Sequence, residues 1–265
     1  MEGKSFDYQR IAEGYANDRP FLHRQVIERI REDLHISENF RNGLDVGCGA
    51  GLSTKALRLV CDKVTGVDSS NEMIKAAKAI YKDEAYTFLQ SSAEDIKAPD
   101  QSFDVVTAAG VVNWVDEKRF LTNLRPLMRE KGFLIIYDFW ITDKMKGKDA
   151  YTRWWYDRYL KEFPKPPRKE NVWTQEMTLS YGFALNNRKM YTLEYEFDKE
   201  AFIRFMLVQS NVNVQIEEGR KTVREVRDWF DVSLKDISRN DMFMDGKETL
   251  IFEGYDWCFL ASDNL

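Results

Sequence analysis

Residues 43–52 read Gly-Leu-Asp-Val-Gly-Cys-Gly-Ala-Gly-Leu: alternate glycines set between a short apolar strand, Leu44-Asp45-Val46, and a helical pattern that begins at Leu52. Glycines in such a place let the backbone turn tightly and come close to a ligand, and a strand–glycine loop–helix unit commits the chain to α/β architecture.

The pattern downstream agrees. Val64 to Val67 reads as strand two and ends at Asp68. A helical face then carries Met73, Ile74, Ala77, Ile80 and Tyr81. Tyr86 to Leu89 and Asp104 to Ala108 read as strands three and four. Phe120, Leu121, Leu124, Leu127 and Met128 mark a helix, and Phe133 to Tyr137 is strand five. Short apolar strands separated by helices predict a parallel sheet covered on both faces. Met190 to Phe197 and Leu250 to Leu260 add two strands, and helices are expected at 201–208, capped by Asp198, and around Val223 to Phe230. The fold expected is α/β: a doubly wound, mostly parallel seven-stranded sheet of Rossmann-like kind. One domain, 1–265, is expected, with 1–40 as a helical N-terminal lid carrying the stripe Leu22, Val26, Ile27, Ile30 and Leu34. Residues 141–182, locally basic and rich in Trp, are expected to be an inserted cap, helical around Tyr151 to Leu160.

Composition narrows the function. Hydrophobic residues at 43% suffice for a sizeable core, and the net charge of -5 argues against a large nucleic-acid footprint, which calls for a basic face. The cysteines Cys48, Cys61 and Cys258 form no C-x-x-C pair and lie far in sequence from His23 and His35, so zinc spacing is absent and reduced thiols are expected. No stretch approaches the roughly 20 apolar residues that span a bilayer, and the N-terminus lacks an apolar signal segment; a cytoplasmic protein is expected.

The ligand follows from the loop. Dinucleotide folds use G-x-G-x-x-G to rest a pyrophosphate on a helix N-terminus. Here the third glycine, Gly51, comes one residue early after Gly47 and Gly49, and Asp45 precedes them. A carboxylate there suits a ligand with an ammonium group and no phosphate, as in S-adenosylmethionine. Asp68, at the end of strand two, is placed to accept from both ribose hydroxyls. Ser91-Ser92-Ala93-Glu94-Asp95, beyond strand three, falls beside the adenine. Ala108-Ala109-Gly110-Val111-Val112-Asn113-Trp114, after strand four, allows close approach of the methionine part.

Together these segments resemble the class I S-adenosylmethionine-dependent methyltransferases over residues 40–140: DVGCGAG, VTGVDSSNEMI, FDVVTAAGVVNW and LRPLMREKGFLII match successive motifs. A looser resemblance, carried by FDYQRIAEGYANDRP, FIRFMLVQSNVNV and VREVRDWFDVSL, is to small-molecule methyltransferases of the trans-aconitate type, whose His-Trp-Phe is replaced here by Asn113-Trp114-Val115. The resemblance implies a cofactor site of Asp45, Gly47, Gly49, Gly51, Asp68, Ser69, Met73 (against adenine), Ser92, Ala93, Glu94, Ala109, Val111 and Trp114, with Tyr15 and Arg19 closing on the cofactor carboxylate. It implies methyl transfer to a small molecule, a carboxylic acid or an aromatic metabolite, with S-adenosylhomocysteine as product and no metal. No catalytic base is evident, and alignment and water exclusion can suffice. Two rivals remain: a silent cofactor binder on the same fold, and a nicotinamide oxidoreductase, which the glycine spacing and Asp45 disfavour.

Overall fold

Alternating apolar strands and amphipathic helices settle into one seven-stranded mixed sheet of order β3-β2-β1-β4-β5-β7-β6. The structure is a computed structural model that describes residues 14–15, 18–165, 173–235, 242–243 and 246–262. Phe6 and Tyr8 of the N-terminal aromatic segment, and Pro166 and Pro167, lie outside these. The strands are β1 (Phe40–Val46), β2 (Cys61–Asp68), β3 (Tyr86–Gln90), β4 (Phe103–Ala109), β5 (Met128–Met145), β6 (Phe183–Asp198) and β7 (Lys247–Ala261). β1 to β5 pair in parallel, with Asp45 opposite both Gly66 and Thr107 and Ala109 opposite Tyr137. This is the expected doubly wound α/β sheet.

The chain divides into two compact units. The first, the glycine-loop unit, comprises Phe21–Phe139, Lys169–Tyr191 and Gly254–Leu265. It holds helices α1 (His23–Asp33), α2 (Leu52–Leu57), α3 (Asn71–Ile80), α4 (Glu117–Leu124) and α6 (Gln175–Leu179). Its core is continuous from Leu44, Val46 and Val106 on the sheet to Phe120, Leu121 and Leu124 of α4. α1 buries Val26, Ile27 and Ile30, as its stripe requires, and carries His23 into the interior with them. Asp116 caps α4 by accepting from Arg119 N at 3.0 Å.

The second, the aromatic unit, comprises Met1–Pro20, Trp140–Arg168 and Thr192–Glu253. It holds α5 (Asp149–Trp154), which runs into a π-helical turn, Trp155–Tyr159, and α7 (Lys199–Leu207), α8 (Ser210–Glu217) and α9 (Val223–Ser233). Asp198 caps α7 as expected, accepting from Ala201 N at 2.7 Å, and Thr222 with Glu225 forms a reciprocal capping box on α9.

Several boundaries differ from those the sequence pattern predicts. The helix after the glycine loop, whose pattern reads from Leu52 to Cys61, stops at Leu57, because β2 already begins at Cys61, where Cys61 and Val64 are buried. Met128 belongs to β5 rather than to the helix before it: a turn, Arg125–Leu127, with Pro126 in it, intervenes. β5 is much longer than Phe133–Tyr137. The charged run Arg129-Glu130-Lys131 masks its start, where Lys131 adopts φ 62° and the β4 register slips between Phe103 and Val105. The segment 141–182, expected as a single cap, contributes to both units, and residue 40, expected in the lid, opens β1.

Candidate cofactor site

The glycine loop holds its shape for two different reasons. Gly47 has φ +67°, and a Cβ there would sit 2.2 Å from Val111 Cγ2, so the loop is packed directly against the turn after β4. Gly49 has φ +52°, and nothing lies within 4 Å of where its Cβ would be. Gly47 is thus required by the protein's own packing, and Gly49 leaves an open approach to the backbone.

Beneath the loop lies Asp45, fully buried. Ser53 Oγ and Thr54 Oγ1, at the start of α2, donate to its Oδ2 at 2.6 and 2.7 Å, and Thr107 Oγ1 of β4 donates to its Oδ1 at 2.9 Å. Burial pushes the Asp45 carboxyl up to about 6, and the three hydroxyls oppose that rise by favouring the charged form. The loop pattern suggests that Asp45 faces a ligand's ammonium group. In the structure its carboxylate instead ties β1, α2 and β4 together under the loop. Its three donors, Ser53, Thr54 and Thr107, carry only a weak signal in the chain. Two hydroxyls, two and three residues after the third glycine, and one threonine inside an apolar strand, are what point to them. Cys48, also buried, has its thiol raised by burial and by Asp45 and Asp68.

Asp68, half-buried at the end of β2, does face the loop. Gly49 N donates to its Oδ2 at 2.9 Å and Ser70 N donates to its Oδ1 at 2.8 Å. These backbone donors fix the group's orientation. Ser69 is exposed and its carbonyl accepts from Gln90 Nε2, 3.1 Å. Met73 is only 2% exposed and packs inside α3, not as an open ledge.

Past β3, Ser92 Oγ donates to Asp95 Oδ2 at 2.9 Å in the turn Ala93–Asp95. Glu94 Oε1 accepts from Asp116 N at 2.9 Å, so its carboxylate also steadies the start of α4. Ala93 packs on the core. Past β4, Ala109 and Val111 are half-buried, and Trp114, on the turn Val112–Trp114, is 61% exposed. Gly51 precedes α2. The structure therefore gathers the loop, Asp68 and the turns after β3 and β4 at the carboxyl ends of neighbouring parallel strands, the usual ligand position in such sheets. Tyr15 and Arg19 belong to the aromatic unit. There Arg19 stacks on the Tyr15 ring at 3.9 Å and its Nη2 donates to the Tyr15 hydroxyl at 3.0 Å, while its buried Nε has no partner among the described residues.

Known proteins resemble this chain in sequence and in fold. A methyltransferase domain family matches residues 44–136. A protein of Dictyostelium discoideum named as a methyltransferase is 26% identical over 216 residues, 80% of each chain. The demethylmenaquinone methyltransferase of Thermotoga maritima is 31% identical over 140 residues, 49% of this chain and 59% of that one, so the chain spans less than two thirds of that relative. A solved structure described as a type II methyltransferase from Anaeromyxobacter dehalogenans aligns with a TM-score of 0.64 at 20% identity, over 90% of this chain and 95% of that one, a likeness of fold. Residues 44–136 are thus a methyltransferase domain, and the relatives named as methyltransferases support an S-adenosylmethionine-dependent methyltransferase. Among the described residues no helix is long and apolar enough to cross a membrane.

Proposed function

We propose that the protein binds S-adenosylmethionine across the carboxyl ends of β1, β2 and β4 and transfers its methyl group to a small aromatic acceptor in the cytoplasm. The observation that carries the reading is the open backbone at Gly49 beside an Asp68 carboxylate held by two backbone donors. That arrangement fits a ribose, whose two hydroxyls a fixed carboxylate can accept from together. Ser69, Ser92, Ala93 and Glu94 border the adenine in this reading, and Ala109, Val111 and Trp114 border the methionine portion. The cofactor supplies a sulfonium-activated methyl group. The protein's part is to align the acceptor and exclude water. Aromatic acceptors are favoured because named relatives include quinone-pathway enzymes, a demethylmenaquinone methyltransferase and a ubiquinone biosynthesis O-methyltransferase of Bradyrhizobium diazoefficiens. The finer likeness to trans-aconitate enzymes rests on sequence segments alone.

Calorimetric titration with S-adenosylhomocysteine tests the site. Wild type should bind, and Asp68→Ala should bind roughly tenfold more weakly or worse, the worth of a hydrogen bond to a charged group. The contribution expected of Arg19, pairing the cofactor carboxylate, is read in the same titration with Arg19→Ala. Unaltered affinity in Asp68→Ala would remove the ribose assignment, and no binding by wild type would remove both the enzyme and the silent cofactor binder.

A further inference from the structure

The middle of β5, where its pairing with β4 ends at Tyr137, is gripped more firmly than strand pairing requires. His23, on α1, lies with Nδ1 2.9 Å from the Tyr137 hydroxyl, and its ring meets Phe139 edge-on at 4.9 Å and 69°. Both neighbours of Asp138 are therefore held by one imidazole. Side chains alternate along a strand, and the Asp138 carboxylate turns the other way, to the end of β4. A Cβ on Gly110 would lie 3.3 Å from Asp138 Oδ1. Phe139 N donates to that oxygen at 2.8 Å, and a Cβ on Gly254 would lie 2.6 Å from the Asp138 carbonyl oxygen. Glycines thus leave room for Asp138 on two sides. Asp138 remains half-buried, with its carboxylate beside Gly110 just past the end of β4, four residues before the exposed Trp114. A carboxylate so constrained is preorganised in the manner of functional groups.

We propose that Asp138 is a catalytic residue: the base that accepts the proton of a hydroxylated aromatic acceptor lying against Trp114, with His23 as its positioning residue. This role rests on the methyltransferase site described above. In the transfer, a lone pair of the acceptor oxygen forms the new oxygen–carbon bond. The sulfur–methyl bond breaks with its electron pair remaining on sulfur, and the O–H proton passes to the Asp138 carboxylate. The products are the methyl ether, S-adenosylhomocysteine and a neutral Asp138. A base is needed only when the nucleophile carries a proton, and this makes the role separable from folding and from cofactor binding.

The test compares wild type, Asp138→Asn and Asp138→Glu with two probes: hydroquinone, which must lose a proton, and benzenethiol, which is largely ionised just above neutral pH. Asp138→Asn should keep its affinity for S-adenosylhomocysteine. It should lose roughly a hundredfold or more in transfer to hydroquinone, lose far less with benzenethiol, and bind hydroquinone more weakly by calorimetry when saturated with S-adenosylhomocysteine. Asp138→Glu should recover part of both losses. Equal loss on both probes, no loss on hydroquinone, or a wild type that binds S-adenosylhomocysteine but not hydroquinone overturns the proposal. Failure of wild type to bind S-adenosylhomocysteine overturns the underlying site instead.

Discussion

The two units bury side chains in opposite ways. The glycine-loop unit places a carboxylate, Asp45, at its centre and surrounds it with three hydroxyls. The aromatic unit fills its centre with rings: Trp154 stacks on Tyr159 at 5.4 Å and 14°, and Phe163 stacks on Phe230 at 5.6 Å and 9° and meets Trp229 at 90°. The polar bonds there sit at the margins of the rings, such as Trp154 Nε1 to Ser233 Oγ, 3.1 Å, and Asn211 Nδ2 to the Tyr159 hydroxyl, 3.0 Å. One buried hydroxyl, that of Tyr151, has no partner among the described residues. Ring packing is strong and tolerant of direction, whereas a buried carboxylate is stable only if every donor is in place. Rings build a body, and the carboxylate with its donors fixes a loop geometry.

Three substitutions set the two arrangements against each other. The largest effect is expected from Trp154→Ala, which removes a ring from the aromatic centre and should cost about 3–5 kcal/mol in urea unfolding. Affinity for S-adenosylhomocysteine, measured where the variant is folded, should stay within about a factor of two if packing in that unit acts on stability alone. A parallel collapse of affinity would break the contrast.

Thr107→Val should cost less, about 1–3 kcal/mol, by withdrawing one donor from a buried carboxylate. The pH dependence sharpens it. Asp45 titrates at about 6 in the fold against an ordinary 3.8. The folded state therefore holds the proton more tightly than the unfolded chain, and Asp45 lowers wild-type stability as pH rises from about 4 to 6. Losing a hydroxyl raises that carboxyl further, so the variant's deficit should be larger at pH 7.5 than at pH 5. A deficit independent of pH would mean that Thr107 matters for packing and not for the carboxylate.

Tyr151→Phe should have the smallest effect, neutral or stabilising by up to about 1 kcal/mol, because it deletes a buried hydroxyl that gains no bond in the fold. A loss larger than this would show that the hydroxyl is satisfied and would narrow the contrast between the units.

Much of the glycine-loop unit is legible in the chain itself. Strand apolarity, the alternate glycines and the acidic residue closing β2 are local signals, and each appears in the structure where its period places it. Asp68 faces the loop as its position implies, because a strand-end carboxylate after such a loop has few other places to point. Asp45 is marked as important by its place before the glycines, but its neighbours are not the ones that place suggests. Its donors sit 8, 9 and 62 residues away, and only the parallel pairing of β1 with β4 brings Thr107 across. For Met73 the family resemblance implies a ligand contact, whereas the helical face of α3 takes it inward.

Local pattern was enough to fix the α/β layering and the glycine loop, because these follow from short-range periodicity and backbone requirements; the likeness to methyltransferases came from the resemblance of successive motifs. The folded arrangement was needed to show that Asp45 is a tie-beam, that one imidazole holds both neighbours of Asp138, and that β5, β6 and β7 contribute to two units. Those facts depend on contacts between residues far apart in the chain, which no local pattern encodes.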